Sequence, residues 1–197
     1  MKRNKIIILA ILLVALLTSS CQTSRTSRVS QAQIQLVQYS LKKTDLPGSW
    51  SIEGESWGAD YGGESYAVTY IHEKLVFITH MVSIYPNEDQ AQLAYKEWES
   101  EWFSIAKFKP VTSFSPMNTD DTFRYECEQK DPDGPLGSLR LCIYLQQQNE
   151  IVSFVKISLD ESSKDNLTIE EINDILGVLD ERLNEVVIDA KPESDSP

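Results

Sequence analysis

Residues 75–105 read LVFITHMVSIYPNEDQAQLAYKEWESEWFSI, and a change of period inside this stretch decides the fold class. From Leu75 to Tyr85 the pattern alternates. Val76, Ile78, His80, Val82 and Ile84 share one face, while Leu75, Phe77, Thr79, Met81 and Tyr85 share the other. A period of two means a strand, and apolar residues on both faces predict a central strand with cover on at least part of each side. At Asn87 the period lengthens. Asn87 caps, Gln90 stands at the reciprocal position, and Glu88 and Asp89 suit the positive end of a helix dipole. Ala91, Ala94, Tyr95, Trp98, Trp102 and Ile105 then form one apolar stripe at helical spacing, with Glu97, Glu99, Ser100 and Glu101 on the wet side. A strand feeding a capped helix in this way is the central unit of an α+β domain.

Working outward, Glu64 to Glu73 predicts a second strand, joined to the first by a tight turn near Glu73-Lys74. Glu53 to Gly63 is rich in glycine, carries Trp57 and Tyr61, shows no clean period, and reads as a loop. Before it, Trp50 and Ile52 begin a strand after the turn string DLPGSW (45–50) and are expected as core contacts. Gln31 to Lys43 is expected to be helical, with Ile34, Val37 and Leu41 on one stripe and Leu36 and Tyr39 nearby. After the central helix, Lys107 to Asp121 reads as a connector broken by Pro110 and Pro116. Strands are predicted at about 122–130, 139–146 and 151–159, with turns at DPDGPLG and QQQNE. On the last two, Leu139, Leu141, Ile143 and Leu145 with Ile151, Val155 and Ile157 are read as one helix-covered face. Thr168 and Glu171 form a capping box for a final helix to about Ile188. Its stripe is Ile169, Ile172, Leu176, Leu179, Leu183 and Val186, and Gly177 inside it suggests a close contact. The expected architecture is a mostly antiparallel sheet of about five to six strands covered by helices, in the order α-βββ-α-βββ-α.

The chain opens MKRNKIIILAILLVALLTSSC (1–21), with Lys2, Arg3 and Lys5 ahead of an apolar run from Ile6 to Leu17. A membrane span needs roughly 20 apolar residues, and this run matches the roughly 7–15 of a secretory signal. Residues 16–21, LLTSSC, resemble the lipobox of bacterial lipoproteins, with Ser20 as the small residue before the cysteine and Thr18 where leucine is commonest. The resemblance implies cleavage after residue 20 and lipidation of Cys21, hence a lipid-anchored protein on the extracytoplasmic side of the cell membrane. The alternatives are an ordinary signal peptide cut near Ser20, or an uncleaved anchor. Residues 21–30 then read as the lipidated cysteine and a flexible tether, 31–188 as one α+β domain, and 189–197 as a disordered tail. DLPGSW after a first helix, and VSIYPNEDQAQLAY (82–95) running into a capped helix, resemble exported lipoprotein domains of the LpqN and PsbP-like α/β/α sandwich type. That resemblance implies an accessory, sensing or assembly role without catalysis.

The formal charge is −12, and removing residues 1–20 with their three basic and no acidic residues takes it to −15. Such a surface repels nucleic acid and anionic lipid head groups. With Cys21 assigned to lipid, Cys127 and Cys142 remain as a pair fifteen residues apart. A disulfide between them is expected, as suits an exported compartment, and antiparallel pairing that sets Cys127 against Cys142 also sets Tyr125 against Tyr144. The alternative is two separate buried thiols.

Motifs for chemistry are sparse. His72 and His80 fall on adjacent strands, roughly opposite one another, yet lack a third metal ligand. Asp131-Pro132-Asp133-Gly134 echoes the start of a calcium loop without its later ligands. Asp120-Asp121 is the other dense carboxylate spot. No catalytic residue, metal ligand or cofactor is assigned. Trp57, Tyr61 and Tyr66 are the candidate binding residues, because aromatics on a glycine-rich loop beside a sheet edge suit an envelope protein or a small ligand. The reading is therefore a lipid-anchored binding, sensing or accessory module, with an anchored hydrolase using acidic residues as the alternative.

Overall fold

The computed structural model describes residues 31–72, 76–104, 108–118, 121–129, 139–159 and 167–189. All lie in the second of two units, Met1–Ser30 and Gln31–Pro197. In chain order the elements are α1 (Gln31–Tyr39), a single 3-10 turn (Lys43–Asp45), β1 (Trp50–Asp60), β2 (Gly63–His72), β3 (Phe77–Ile84), α2 (Glu88–Trp102), β4 (Phe108–Pro110), β5 (Thr122–Gln129), β6 (Leu139–Gln148), β7 (Ile151–Ser158) and α3 (Ile169–Asp189). The seven strands form one sheet in the order β1-β2-β3-β7-β6-β5-β4, with every neighbouring pair antiparallel. Two meanders meet where β3 pairs with β7, so β3 has a neighbour on each side.

The sheet is buried between helices on two faces, and the alternation of β3 sets which residues go where. On the first face, Ile78, Val82, Val155, Ile157, Cys142 and Tyr144 pack with Leu36 and Tyr39 of α1 and with Ile172, Leu176, Leu179 and Leu183 of α3. Each aliphatic side chain buried in this way contributes roughly 1.5–3 kcal/mol. On the second face, Ile143, Leu145, Val152 and Phe154 pack with Ala91, Ala94 and Tyr95 of α2. Val155 and Ile157 thus lie opposite to Ile143 and Leu145, not with them, because β7 pairs Ile157 with Cys142 and Val155 with Tyr144.

Four expectations change. The strand count is seven rather than five to six, because the connector contains β4, a three-residue edge strand ending at Pro110, too short to show a period. Glu53 to Gly63 is not a loop: β1 runs to Asp60, and its period is hidden by a register shift between Ile52 and Gly54 and by exposure on both faces. QQQNE is mostly strand, since Gln146, Gln147 and Gln148 are buried in β6 and only Asn149-Glu150 turns the chain. In α1 the buried side is Leu36 and Tyr39, while Ile34 and Val37 are exposed. The turns at 73–75 and 131–137, the side chain of Val186 and the tail beyond Asp189 lie outside the described residues.

The box at Thr168 and Glu171 forms on both sides, while at α2 the Asn87 cap is shown. Asn87 Oδ1 accepts from Gln90 N at 3.0 Å. Thr168 Oγ1 accepts from Glu171 N at 3.2 Å while Thr168 N donates to Glu171 Oε2 at 2.8 Å. Gly177 does not mark a close contact, because a Cβ built there meets nothing within 4 Å. Gly177→Ala is therefore expected to stabilise the domain by about 1 kcal/mol, the helix-interior difference between these residues, read as a higher urea midpoint at unchanged slope.

The chain after α1 is fastened from three elements. Leu41 N donates to Nδ1 of His80 on β3 at 2.8 Å, Tyr70 Oη on β2 donates to Leu41 O at 2.8 Å, and Arg182 on α3 donates to Ser40 O. Arg182 also pairs with Asp45 at 2.8 Å.

Candidate functional site

The β1–β2 hairpin projects the most exposed backbone of the sheet. Pairing runs from Trp50↔His72 to Asp60↔Gly63, and every residue from Ser51 to Ala59 is exposed. Its two-residue turn is Tyr61-Gly62, with φ of +45° and +88°. Such a primed turn matches strand twist but requires positive φ at both positions, natural for glycine and unfavourable for tyrosine. Gly63 serves a different purpose. A Cβ there would come within 2.8 Å of Ile84 O and the Tyr85 ring, so its absence lets Tyr85 lie against the hairpin.

The structure divides the three candidate binding residues between the two faces. Trp57 stands opposite Tyr66 on the first face, their rings 4.5 Å apart. Tyr66 is buried, so it supports Trp57 rather than meeting a ligand. Its hydroxyl donates to Glu55 Oε1 at 2.7 Å, and burial, followed by that carboxylate, pushes its pKa well above the phenol range. Tyr61 turns instead to α2: its hydroxyl donates to Glu101 Oε2 at 3.5 Å, and its ring meets Trp98 edge-on at 6.3 Å. Trp57 is 48% and Tyr61 49% exposed, so the hairpin presents an open aromatic on either face.

Around Tyr61 stand residues that sequence reasoning assigned to a loop or to the wet side of a helix. Burial raises the Asp60 pKa, the Trp98 indole opposes that shift, and Glu101 adds to it. Trp98 and Trp102 stack nearly parallel and lie 4.8 and 5.2 Å from Phe154. Lys156 Nζ sits 5.0 Å from the centre of the Trp102 ring. Beneath them Tyr85 is 2% exposed, and burial above all pushes its phenol up to about 12. Asp60 Oδ2, Tyr85 Oη and Trp98 Nε1 are buried together without a well-formed hydrogen bond, although the Trp98 indole stands close enough to Asp60 and Tyr85, and Ser83 to Tyr85, to lower both pKa values against the rise that burial causes. The available signal was Asp60-Tyr61-Gly62-Gly63 as a turn string, with Glu97 and Glu101 one helical turn apart.

The other motifs resolve as structure. Cys127 and Cys142 are bridged at a direct cross-strand pair, with Tyr125 against Tyr144 at 6.0 Å. His72 and His80 are not opposite: His80 pairs with Val68, and His72 N bonds to Val76 O. His72 lies 5.1 Å from the Trp50 ring. His80 is fully buried, accepting from Leu41 N at Nδ1, which places the proton on Nε2 to donate to Ser153 Oγ at 3.0 Å. Asp121 and Asp180, on separate elements as a hydrolytic pair requires, do meet. Gln146 nevertheless holds both: its Nε2 donates to Asp121 Oδ2 and Asp180 Oδ1, each at 2.8 Å, and its Oε1 accepts from Tyr144. Asp180 is 1% exposed and also accepts from Met117 N at 2.6 Å, a bonding pattern that fixes α3 to the sheet. Asp131 and Asp133 lie outside the described residues. Among the described residues no three metal-ligating side chains group together, and no helix is long and apolar enough to cross a membrane.

No family model matches the chain, and no curated protein matches it. Among solved structures, the extracellular domain of PknH from Mycobacterium tuberculosis is 9% identical at a TM-score of 0.49, over 78% of this chain and 97% of that one.

Proposed function

We propose that this protein is a lipid-anchored cell-envelope lipoprotein, held through Cys21 on the extracytoplasmic side, and that its domain works by binding rather than by catalysis. The observation that carries the binding role is the β1–β2 hairpin. Nine consecutive residues of an edge strand are exposed on both faces, with Trp57 and Tyr61 half-exposed toward its tip. Unpaired edge backbone flanked by aromatics is a surface that partners recognise, through main-chain bonding and aromatic anchors. Export is supported by the signal at residues 1–21 and by the oxidised cysteine pair.

The test places a photo-crosslinking residue at position 57 in intact cells, with exposed Met117 as the control position. The expected result is a discrete adduct from position 57 that is absent from position 117 and is lost when Cys21→Ser releases the domain from the membrane. Trp57→Ala is expected to abolish partner capture while leaving the melting temperature within about 1 °C, since an exposed side chain contributes little to stability. Equal adducts from both positions, or none from either, would remove the hairpin as the working surface.

A further inference from the structure

We propose that the hairpin tip and the facing side of α2 form a site for an organic cation, an ammonium or guanidinium group on an apolar stem. The inference rests on the binding reading above and assigns it a chemistry. Four observations converge on it.

First, Tyr61 occupies a left-handed backbone position that asparagine or glycine would hold without strain. An outlier of this kind is retained where the side chain is needed, and here it sets a half-exposed ring edge-on to Trp98. Second, three carboxylates, Asp60, Glu97 and Glu101, all act on Tyr61. Among the described residues none of the three has a lysine or arginine partner. Third, Tyr85 is 98% buried beside the same groups: Asp60 and Tyr61 act on its hydroxyl, and Ser83 and Trp98 stand within reach of it without completing a well-formed hydrogen bond. Fourth, the same aromatic stripe already takes a cation internally, at Lys156 over Trp102.

Aromatic rings with uncompensated carboxylates beside them attract a cation twice, through the ring quadrupole and through charge. An apolar stem gains further contact from the rings, which a bare metal ion does not. A solvated acidic surface lacks that second preference, so stem and charge together discriminate between the two.

The experiment follows the four tryptophan indole N–H signals of the full-length protein in detergent by NMR, with Trp98→Phe identifying the relevant one. The probes are n-butylammonium, ethylguanidinium, sodium, n-butanol, and the capped tripeptides Gly-Lys-Gly and Gly-Arg-Gly. The Trp98 signal is expected to shift saturably with butylammonium or ethylguanidinium, at millimolar midpoints, and not with sodium or butanol. Glu101→Gln, on an exposed site, is expected to weaken binding about tenfold, the equivalent of 1.4 kcal/mol. Tyr61→Asn is expected to abolish the shift while raising the melting temperature, because asparagine suits the turn. That pairing separates lost binding from lost folding. Tripeptides that bind about tenfold tighter than the free amines identify the ligand as a basic side chain of a polypeptide; equal affinity identifies a free amine. The proposal is overturned if sodium or butanol reproduces the shift, if no probe saturates, or if Glu101→Gln leaves the midpoint unchanged. Loss of this titration with crosslinks at position 57 retained would remove the cation site and leave the binding-module reading standing.

Discussion

Replacing His80 by alanine is expected to cost about 3–4 kcal/mol at pH 7.5 and almost nothing at pH 4. At the higher pH the loss combines the cavity left by a fully buried ring with two buried groups, Leu41 N–H and Ser153 Oγ, deprived of their partner. The pH dependence follows from the imidazole itself. Burial first, and the Arg182 charge second, push its pKa down from 6.5 to about 3. Between those values the unfolded chain binds a proton that the folded chain refuses. Stability therefore rises with pH across this window and is lost as pH falls. From pH 7.5 to pH 4 the loss amounts to about 3 kcal/mol at 1.36 kcal/mol per unit. Alanine does not titrate, so the variant escapes that loss. Urea denaturation curves at half-unit pH steps should show the two proteins converging. Parallel curves would mean that His80 accepts a proton without leaving its pocket.

Gln146→Leu is expected to be as damaging, at about 3–5 kcal/mol. The change removes no apolar packing. It leaves the Asp121 and Asp180 carboxylates and the Tyr144 hydroxyl without the one amide that joins them, all under α3. Removing one partner from buried charged groups costs far more than the pairing itself contributes. Equilibrium urea unfolding at pH 7 measures the loss directly. Hydrogen exchange should show it concentrated where α3 meets the sheet, because Met117 N and Asn184 also bond within this network. A cost under about 1 kcal/mol would mean that the carboxylates find water once the amide is gone.

Period and capping made much of the fold legible. The alternation across β3, the switch at Asn87 and the Thr168–Glu171 box each act within a few residues, and each formed as read. The bridge and its tyrosine pair were legible because a two-residue period fixes register once one pair is known. What stayed hidden depends on distant partners. β1 showed no alternation because neither of its faces is covered, so selection for burial leaves no mark on it. Asp180 stands at a buried position of the α3 stripe, four residues after Leu176, and two distant donors, the Gln146 amide on β6 and the Met117 backbone N–H, make a carboxylate tolerable there. Of the candidate site, the aromatic character of Trp57 and Tyr61 was legible. Their separation onto opposite faces, and the company of Asp60, Glu97 and Glu101, depend on a helix arriving from later in the chain.

The fastening at Ser40 and Leu41 has a mechanical consequence. A pull on the chain from its N-terminal side passes along α1 and arrives where bonds from β2, β3 and α3 grip two adjacent residues. Those bonds share the load and must yield together rather than one after another. Tension entering there is delivered to the middle of the sheet, so a domain pulled from that end would resist as a block, while the hairpin carrying Trp57 and Tyr61 stays off the line of force.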